Sequence, residues 1–360
     1  MKHALSRAFA VFLCLVMLAV SCSGAIADSL TLPEGVATVE EDAFAGCVAV
    51  KEITLPAGTE TIEQGAFTDT GETLWIHCSP GKVSRQLLEA GFDVEAGTVY
   101  RALIIGQTYA GNSAVQTLEG TMNDAQAVRF CLAALDRTEY TSTVKSDRSA
   151  EEILSLIGST FSGATENDVS IFYYSGHGEA GGALVGRNGE LLTPTALRGA
   201  LDSIKGRKVI IVDACYSGAI TTAGLKQGAA AGSFNSAFLS AFSGGKLNRT
   251  GPEAGSSGDG GYSQYYIMTS AREDQTCMED WITSGSSRKI MGYFSYFLCR
   301  GCGWDGVTSR SVNKAADANN DGVVSFGEAF SYAAAEARKK NRYQDAQSNM
   351  TGCKSFSPFR

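Results

Sequence analysis

Two segments of this 360-residue chain end in a reactive side chain. Phe172-Tyr173-Tyr174-Ser175-Gly176-His177-Gly178 carries an imidazole, and Ile210-Ile211-Val212-Asp213-Ala214-Cys215-Tyr216-Ser217-Gly218 carries a thiol. Each is a run of apolar strand-forming residues that gives way to small ones. A free cysteine is only a few per cent thiolate near neutral pH, and a neighbouring histidine turns it into an effective nucleophile. His177 would take the thiol proton of Cys215 and hand it to a leaving amine. The backbone N–H groups of Gly178 and Cys215 would stabilise the oxyanion of acyl transfer. Alone, either residue reads as core packing; as a pair of strand-end motifs they read as catalytic machinery. The chain has only three histidines, His3, His77 and His177, which excludes a histidine-rich metal site.

These motifs need elements to hold them. Apolar strand runs cover Ala102–Ile105, Tyr140–Val144, Val169–Tyr174, Lys208–Val212 and Tyr265–Ala271. Helical spacing covers Asn123–Leu135, Glu151–Phe161, Gly292–Leu298 and Phe326–Arg338. Asn188-Gly189 marks a tight hairpin, and Pro194 starts a helix through Ile204. The alternation predicts an α/β fold, a sheet with helices on both faces. Ligands then bind beyond the carboxyl ends of the strands, which puts His177 and Cys215 on solvent-facing strand ends.

The segments "YYSGHG" and "IIVDACYSG" resemble the caspase-like cysteine peptidases, a group of caspases, metacaspases, legumains and gingipains, and the metacaspase-like branch most of all. The resemblance implies a mostly parallel caspase-like sheet flanked by helices. It departs from animal caspases, where Gln stands at the place of Asp213. A third metacaspase motif, G-C-x-N-D, is matched by Gly120-Thr121-Met122-Asn123-Asp124, with Thr121 replacing Cys. By this resemblance Asp124, Ser175 and Asp213 line the S1 pocket. Two carboxylates and a hydroxyl suit a guanidinium or ammonium group. Asp124 also suits the first turn of the helix it opens. Arg272–Cys277, after the late strand, resembles a family turn that borders the substrate cleft. The expected activity is that of a secreted cysteine endopeptidase cutting peptide or protein substrates after Arg or Lys, without an organic cofactor. The alternatives are an inactive caspase-like scaffold that binds a surface partner, and a peptide ligase using the same acyl-enzyme.

A separate motif, Asp317-x-Asn319-x-Asp321-Gly322-Val323-x-Ser325-x-x-Glu328, fits the twelve-residue EF-hand calcium loop, with Val323 giving its carbonyl. A helix follows and none clearly precedes, so the expectation is half an EF-hand holding a structural Ca2+. The alternative is an Asp/Asn-rich turn capping the last helix.

Residues 28–96 repeat at an offset of 23: Leu30-Thr31-Leu32-Pro33 returns as Ile53-Thr54-Leu55-Pro56, and Ala43-Phe44 as Ala66-Phe67. They resemble bacterial surface-type leucine-rich repeats, read as a short cap or as a face for a cell-surface ligand. Ahead of them, Lys2, His3 and Arg7, an apolar run Ala8–Val20 and Ala25-Ile26-Ala27 form an export signal over residues 1–27. The run is too short to span a membrane, and no later segment is apolar enough. Lipid attachment at Cys22 is the weaker option, because Ala19-Val20-Ser21 is a poor lipobox. The chain is therefore expected to be secreted or held at the cell surface, with the peptidase domain over 97–360. A net charge of −8 disfavours nucleic acid as a partner. Cleavage after Ala27 leaves Cys47, Cys78, Cys131, Cys215, Cys277, Cys299, Cys302 and Cys353. The Cys299–Cys302 spacing lacks the second pair of a zinc ribbon, which leaves a disulfide or simple burial. The Gly/Ser-rich loop before Tyr265 carries Lys226, Lys246 and Arg249, sites where such an enzyme would cut itself.

Overall fold

The computed structural model describes residues 29–70, 74–79, 82–95, 97–179, 182–216, 265–271, 277–349 and 356–360. The export segment, Cys22, Ser217-Gly218, Lys226, Lys246, Arg249, the Arg272–Thr276 turn and Cys353 lie outside the described residues. The chain divides into two compact units, the first running to Thr98 and the second beginning at Val99.

In the first unit the repeat becomes a ladder. Strands β1 (Ser29–Thr31), β3 (Glu52–Thr54), β5 (Trp75–His77) and β6 (Asp93–Glu95) form a parallel sheet, and β2 (Thr38–Val39) pairs with β4 (Thr61–Ile62). Leu30 faces Ile53, Ile53 faces Ile76 and Val39 faces Ile62, so the register reproduces the sequence offset. Phe44 stacks on its repeat equivalent Phe67 at 5.1 Å. Equivalent apolar positions of successive copies stack on one another, as stacking repeats require. Helix α1 (Lys82–Glu89) closes the row, its Val83 and Leu87 joining that core.

The second unit is built on one sheet. Strands β7 (Tyr100–Gly106), β8 (Tyr140–Ser146), β9 (Val169–Glu179), β12 (Arg207–Tyr216) and β13 (Tyr265–Thr269) run parallel in the order β8-β7-β9-β12-β13. The hairpin β10 (Ala183–Val185) and β11 (Leu191–Leu192) extends it beside the far end of β9, and β18 (Gln347–Ser348) is an antiparallel edge. On one face α3 (Ala150–Thr160) and α4 (Pro194–Asp202) cover Leu103, Ile105, Phe172, Tyr174, Ile210 and Val212. Burying each such side chain contributes about 1.5–3 kcal/mol. Local signals fix where these helices start: Ser149 and Glu152 form a reciprocal capping box, and Thr193 caps the Pro194 helix. On the other face lie α2 (Thr121–Ala133) and α5 (Tyr293–Gly301), with α6 (Phe326–Lys340) packed against α5. Between β13 and α5 stands the hairpin β14 (Glu279–Ser284) and β15 (Ser287–Gly292), which the sequence pattern did not suggest. A small hairpin, β16 (Trp304–Asp305) with β17 (Arg310–Ser311), follows α5. Among the described residues no helix is long and apolar enough to cross a membrane.

Candidate active site

Strands β9 and β12 are longer than the apolar runs that announced them. They continue through the small residues, so His177 and Cys215 lie inside the last turns of the ladder rather than beyond it. Their Cα positions are register partners, as are Ser175 with Asp213 and Gly178 with Tyr216. The two motifs are thus aligned residue for residue.

His177 is buried rather than solvent-facing, at 3% exposure. The ring of Tyr109 stacks on it at 4.8 Å. The Tyr109 hydroxyl accepts the N–H of His177 at 2.9 Å, and the Tyr174 hydroxyl reaches the His177 carbonyl at 3.0 Å. These hydroxyls explain Gly176: a Cβ there would sit 2.6 Å from that of Tyr174 and 2.9 Å from that of Tyr109. The His177 Nε2 lies 2.8 Å from the carbonyl of Gln116. A carbonyl only accepts, so Nε2 carries the hydrogen and Nδ1 is left as the base. Burial holds the imidazole below its ordinary range, partly offset by the Gln116 carbonyl. The neutral form able to accept a proton is favoured.

The three residues assigned to S1 come together. Asp124, in the first turn of α2, is 1% exposed, and Asp213 is 4% exposed. Ser175 donates its hydroxyl to Asp124 Oδ2 at 3.0 Å, and the Gly292 N–H donates to Oδ1 at 2.9 Å. Asp213 Oδ2 accepts from the Ser295 hydroxyl at 2.6 Å and its N–H at 3.1 Å. A Cβ on Gly292 would lie 2.5 Å from Asp213 Oδ2 and 3.1 Å from Asp124 Oδ2, so both carboxylates converge on this glycine. Burial, then the charge of Asp213, pushes the Asp124 carboxyl well above its usual range. A third acid, Glu279, accepts the N–H groups of Glu119 and Gly120 at 2.9 Å each, at the start of α2. Burial raises its carboxyl too, and the charge of Asp213 adds to this. Among the described residues no lysine or arginine pairs with Asp124, Asp213 or Glu279. Thr121, which replaces the family cysteine, turns instead to the Gln107 carbonyl at 3.0 Å.

Tyr109, Gln116, Glu279, Gly292 and Ser295 were invisible from the sequence. Tyr109 has φ +59°, which no local motif announces, and the others enter from segments distant in the chain.

In the 317–328 loop the side-chain oxygens are engaged in hydrogen bonds within the loop and with the cap of the helix that follows. Asp317 accepts from the N–H groups of Asp321 and Gly322, and Asn319 donates to Asp321. Gly322 has φ +83°, as the sharp turn of such a loop requires. Glu328 bonds the Ala318 N–H and caps α6 with Ser325 in a capping box. The donor set is all oxygen and suits a hard cation such as Ca2+. Among the described residues no three His, Cys, Asp or Glu side chains converge closely enough for a ready metal centre.

A family model of the caspase domain matches residues 100–350, and a model of the BspA-type leucine-rich repeat region matches residues 21–83. No curated protein matches the chain. Among solved structures, that of pro-Sf-caspase-1 is similar with a TM-score of 0.41 and 13% identity, covering 71% of this chain and 88% of that one. BspA-type repeats are typical of bacterial surface proteins. With its helix-flanked, mostly parallel sheet, the chain belongs to the caspase-domain family of cysteine peptidases and carries a BspA-type repeat region ahead of that domain.

Proposed function

We propose that the protein is a cysteine endopeptidase that cuts after Arg or Lys, with Cys215 as nucleophile and His177 as acid and base. The observation that carries this reading is the buried pair Asp124 and Asp213. It has no cationic partner among the described residues, and Asp213 stands two residues before Cys215. Two carboxylates held this close in a buried site call for a positive charge, and a basic P1 side chain supplies one. Ser175 and Ser295 hold the acids in place.

In the reaction, Nδ1 of His177 takes the proton of Cys215 and the thiolate attacks the scissile carbonyl. The N–H groups of Gly178 and Cys215 stabilise the oxyanion. The protonated imidazole gives its proton to the leaving amine, and water then releases the acyl group from sulfur. The Gln116 carbonyl keeps the ring in the tautomer this sequence needs. Peptides differing only at P1 test the reading: turnover of Arg and Lys but not of Asp supports it.

The same reading places the enzyme outside the cell, with residues 1–27 as the export signal and a cell-surface ligand for the repeats. Fractionation of producing cells tests this: protein confined to the cytosol would refute it. The 317–328 loop binds Ca2+ in a structural role, through Asp317, Asn319, Asp321, the Val323 carbonyl, Ser325 and Glu328.

A further inference from the structure

Glu279 has a place in the site that the proposed reaction leaves unexplained. It opens β14 and is the register partner of Gly292 at the end of β15, the glycine beside both S1 acids. Its Oε1 accepts the N–H of Glu119 and its Oε2 that of Gly120, at 2.9 Å each. Gly120 is the N-cap of α2 and has no side chain with which to cap it. The hairpin supplies the missing anion, at a helix end where unpaired N–H groups and the dipole favour negative charge. The close approach also accounts for the glycine: a Cβ on Gly120 would lie 2.8 Å from Glu279 Oε2 and 3.2 Å from the Met291 Cα. The carboxylate is held there against the like charges of Asp213 and Glu119.

The N–H groups it grips belong to the stretch that restrains His177. Gln116, whose carbonyl lies 2.8 Å from Nε2 of His177, begins that stretch, and Gly120 ends it. Upstream, Val115 is fixed in a small core with Tyr109 and Val185. Along one edge the Leu118 N–H donates to the Thr108 carbonyl at 3.0 Å, and the Thr121 hydroxyl to that of Gln107 at 3.0 Å. Those two bonds tie the stretch to the end of β7. Glu279 ties it to β14 through two more. The Asn123 side chain adds a bond to the Ile290 carbonyl at 2.9 Å, so the hairpin seats the start of α2 as well. A peptide plane held on both sides has little freedom to turn, and the Gln116 carbonyl stays aimed at the imidazole.

We propose that Glu279 is a positioning residue for the acid and base: by holding the N–H groups of Glu119 and Gly120 it fixes the Gln116 carbonyl, which keeps the hydrogen on Nε2 of His177 and leaves Nδ1 free to take the thiol proton. The role rests on the peptidase reading given above. Glu279 touches neither the thiol nor the imidazole and acts through the backbone between them. Without it the ring can exchange its hydrogen between the two nitrogens, and the share with a free Nδ1 falls.

The test reads the tautomer directly. The full-length chain is labelled with 15N-histidine, and the ring nitrogens of His177 are followed at about pH 8 in wild type, Glu279→Gln and Glu279→Ala. The signals of His177 are identified by their loss in His177→Ala. Wild type should show the widely separated pair of an Nε2–H imidazole. In both variants the pair should move toward the average of the two tautomers. In matched assays on an Arg peptide kcat should fall roughly ten- to a hundredfold, with KM changed by no more than about threefold. His177 signals identical to wild type in both variants would overturn the proposal, even if activity fell. A second measurement needs no variant: in wild type the amide hydrogens of Glu119 and Gly120 should exchange at least about a hundredfold more slowly than in a free peptide. Exchange at the free-peptide rate would overturn the proposal too. Failure of the peptidase reading shows separately, as a wild type that cleaves no peptide at all.

Discussion

Cys215 and His177 are Cα partners in the parallel register of β12 and β9. Neighbouring strands lie about 4.8 Å apart, so the sheet itself brings the proposed nucleophile and base together. Cys215→Ala and His177→Ala should each lower kcat/KM by at least about a thousandfold, the usual scale for removing a member of such a pair. Circular dichroism of both variants should match wild type. Cleavage retained within tenfold by either one would contradict the assigned roles.

The acid pair makes a pH dependence of defined sign. The Asp124 carboxyl is raised by burial and by the charge of Asp213. A basic P1 group needs the ionised form, so KM for Arg substrates should fall as pH rises through that raised value. Asp213→Asn removes the like charge and should move this limb to lower pH while weakening binding. A KM independent of pH across the weakly acidic and neutral range would count against the pair as the cation site.

The same carboxyl should cost stability. Its folded-state pKa lies above the unfolded one, so the native chain holds a proton that the unfolded chain has released, and stability falls as pH rises between the two. Asp124→Asn still accepts the Gly292 N–H and can donate to Ser175. At neutral pH it should melt higher than wild type, by roughly 2–4 °C for about 1 kcal/mol, while cleavage after Arg drops. Thermal scans of the pair at two pH values check both sign and size.

Gly292 is the point on which both acids converge, and it has no room for a side chain. Gly292→Ala should raise KM for basic substrates roughly tenfold or more through displacement of the carboxylates. An unchanged KM would mean that the pocket lies elsewhere.

If the 317–328 loop takes up calcium, millimolar Ca2+ should raise the melting temperature, by roughly RT ln(1 + [L]/Kd) of added stability. Asp317→Ala and Glu328→Ala should abolish the effect. A wild-type melting temperature insensitive to calcium leaves Glu328 as the capping residue of α6 and nothing more.

Much of this site could be seen in the sequence because it is carried by contiguous motifs on central strands. Ser175, His177, Asp213 and Cys215 fall where the apolar runs give way to small residues, and the sheet register then aligns them. The repeat was legible for the same kind of reason, since Leu30, Ile53 and Ile76 face one another at the sequence offset. What stayed hidden depends on contacts between distant segments. Glu279 reaches Gly120 from a hairpin of mixed polarity whose exposed Trp281 and half-polar alternation gave no clean strand signal. Gln116 acts through its carbonyl, which any residue would provide. The burial of His177 follows from Tyr109, whose left-handed backbone no propensity predicts.

The central claim is that the thiol of Cys215 cleaves after a basic residue read by Asp213 and Asp124. Purified wild type, Cys215→Ala, Asp213→Ala and Asp124→Ala are incubated with matched peptides carrying Arg, Lys, Asn or Asp at P1. Wild type should cut the Arg and Lys peptides and spare the Asp peptide. Cys215→Ala should cut none, and Asp213→Ala should weaken the basic preference more than Asp124→Ala. Cleavage after Asp or Asn in preference to Arg and Lys, or activity surviving in Cys215→Ala, would contradict the account.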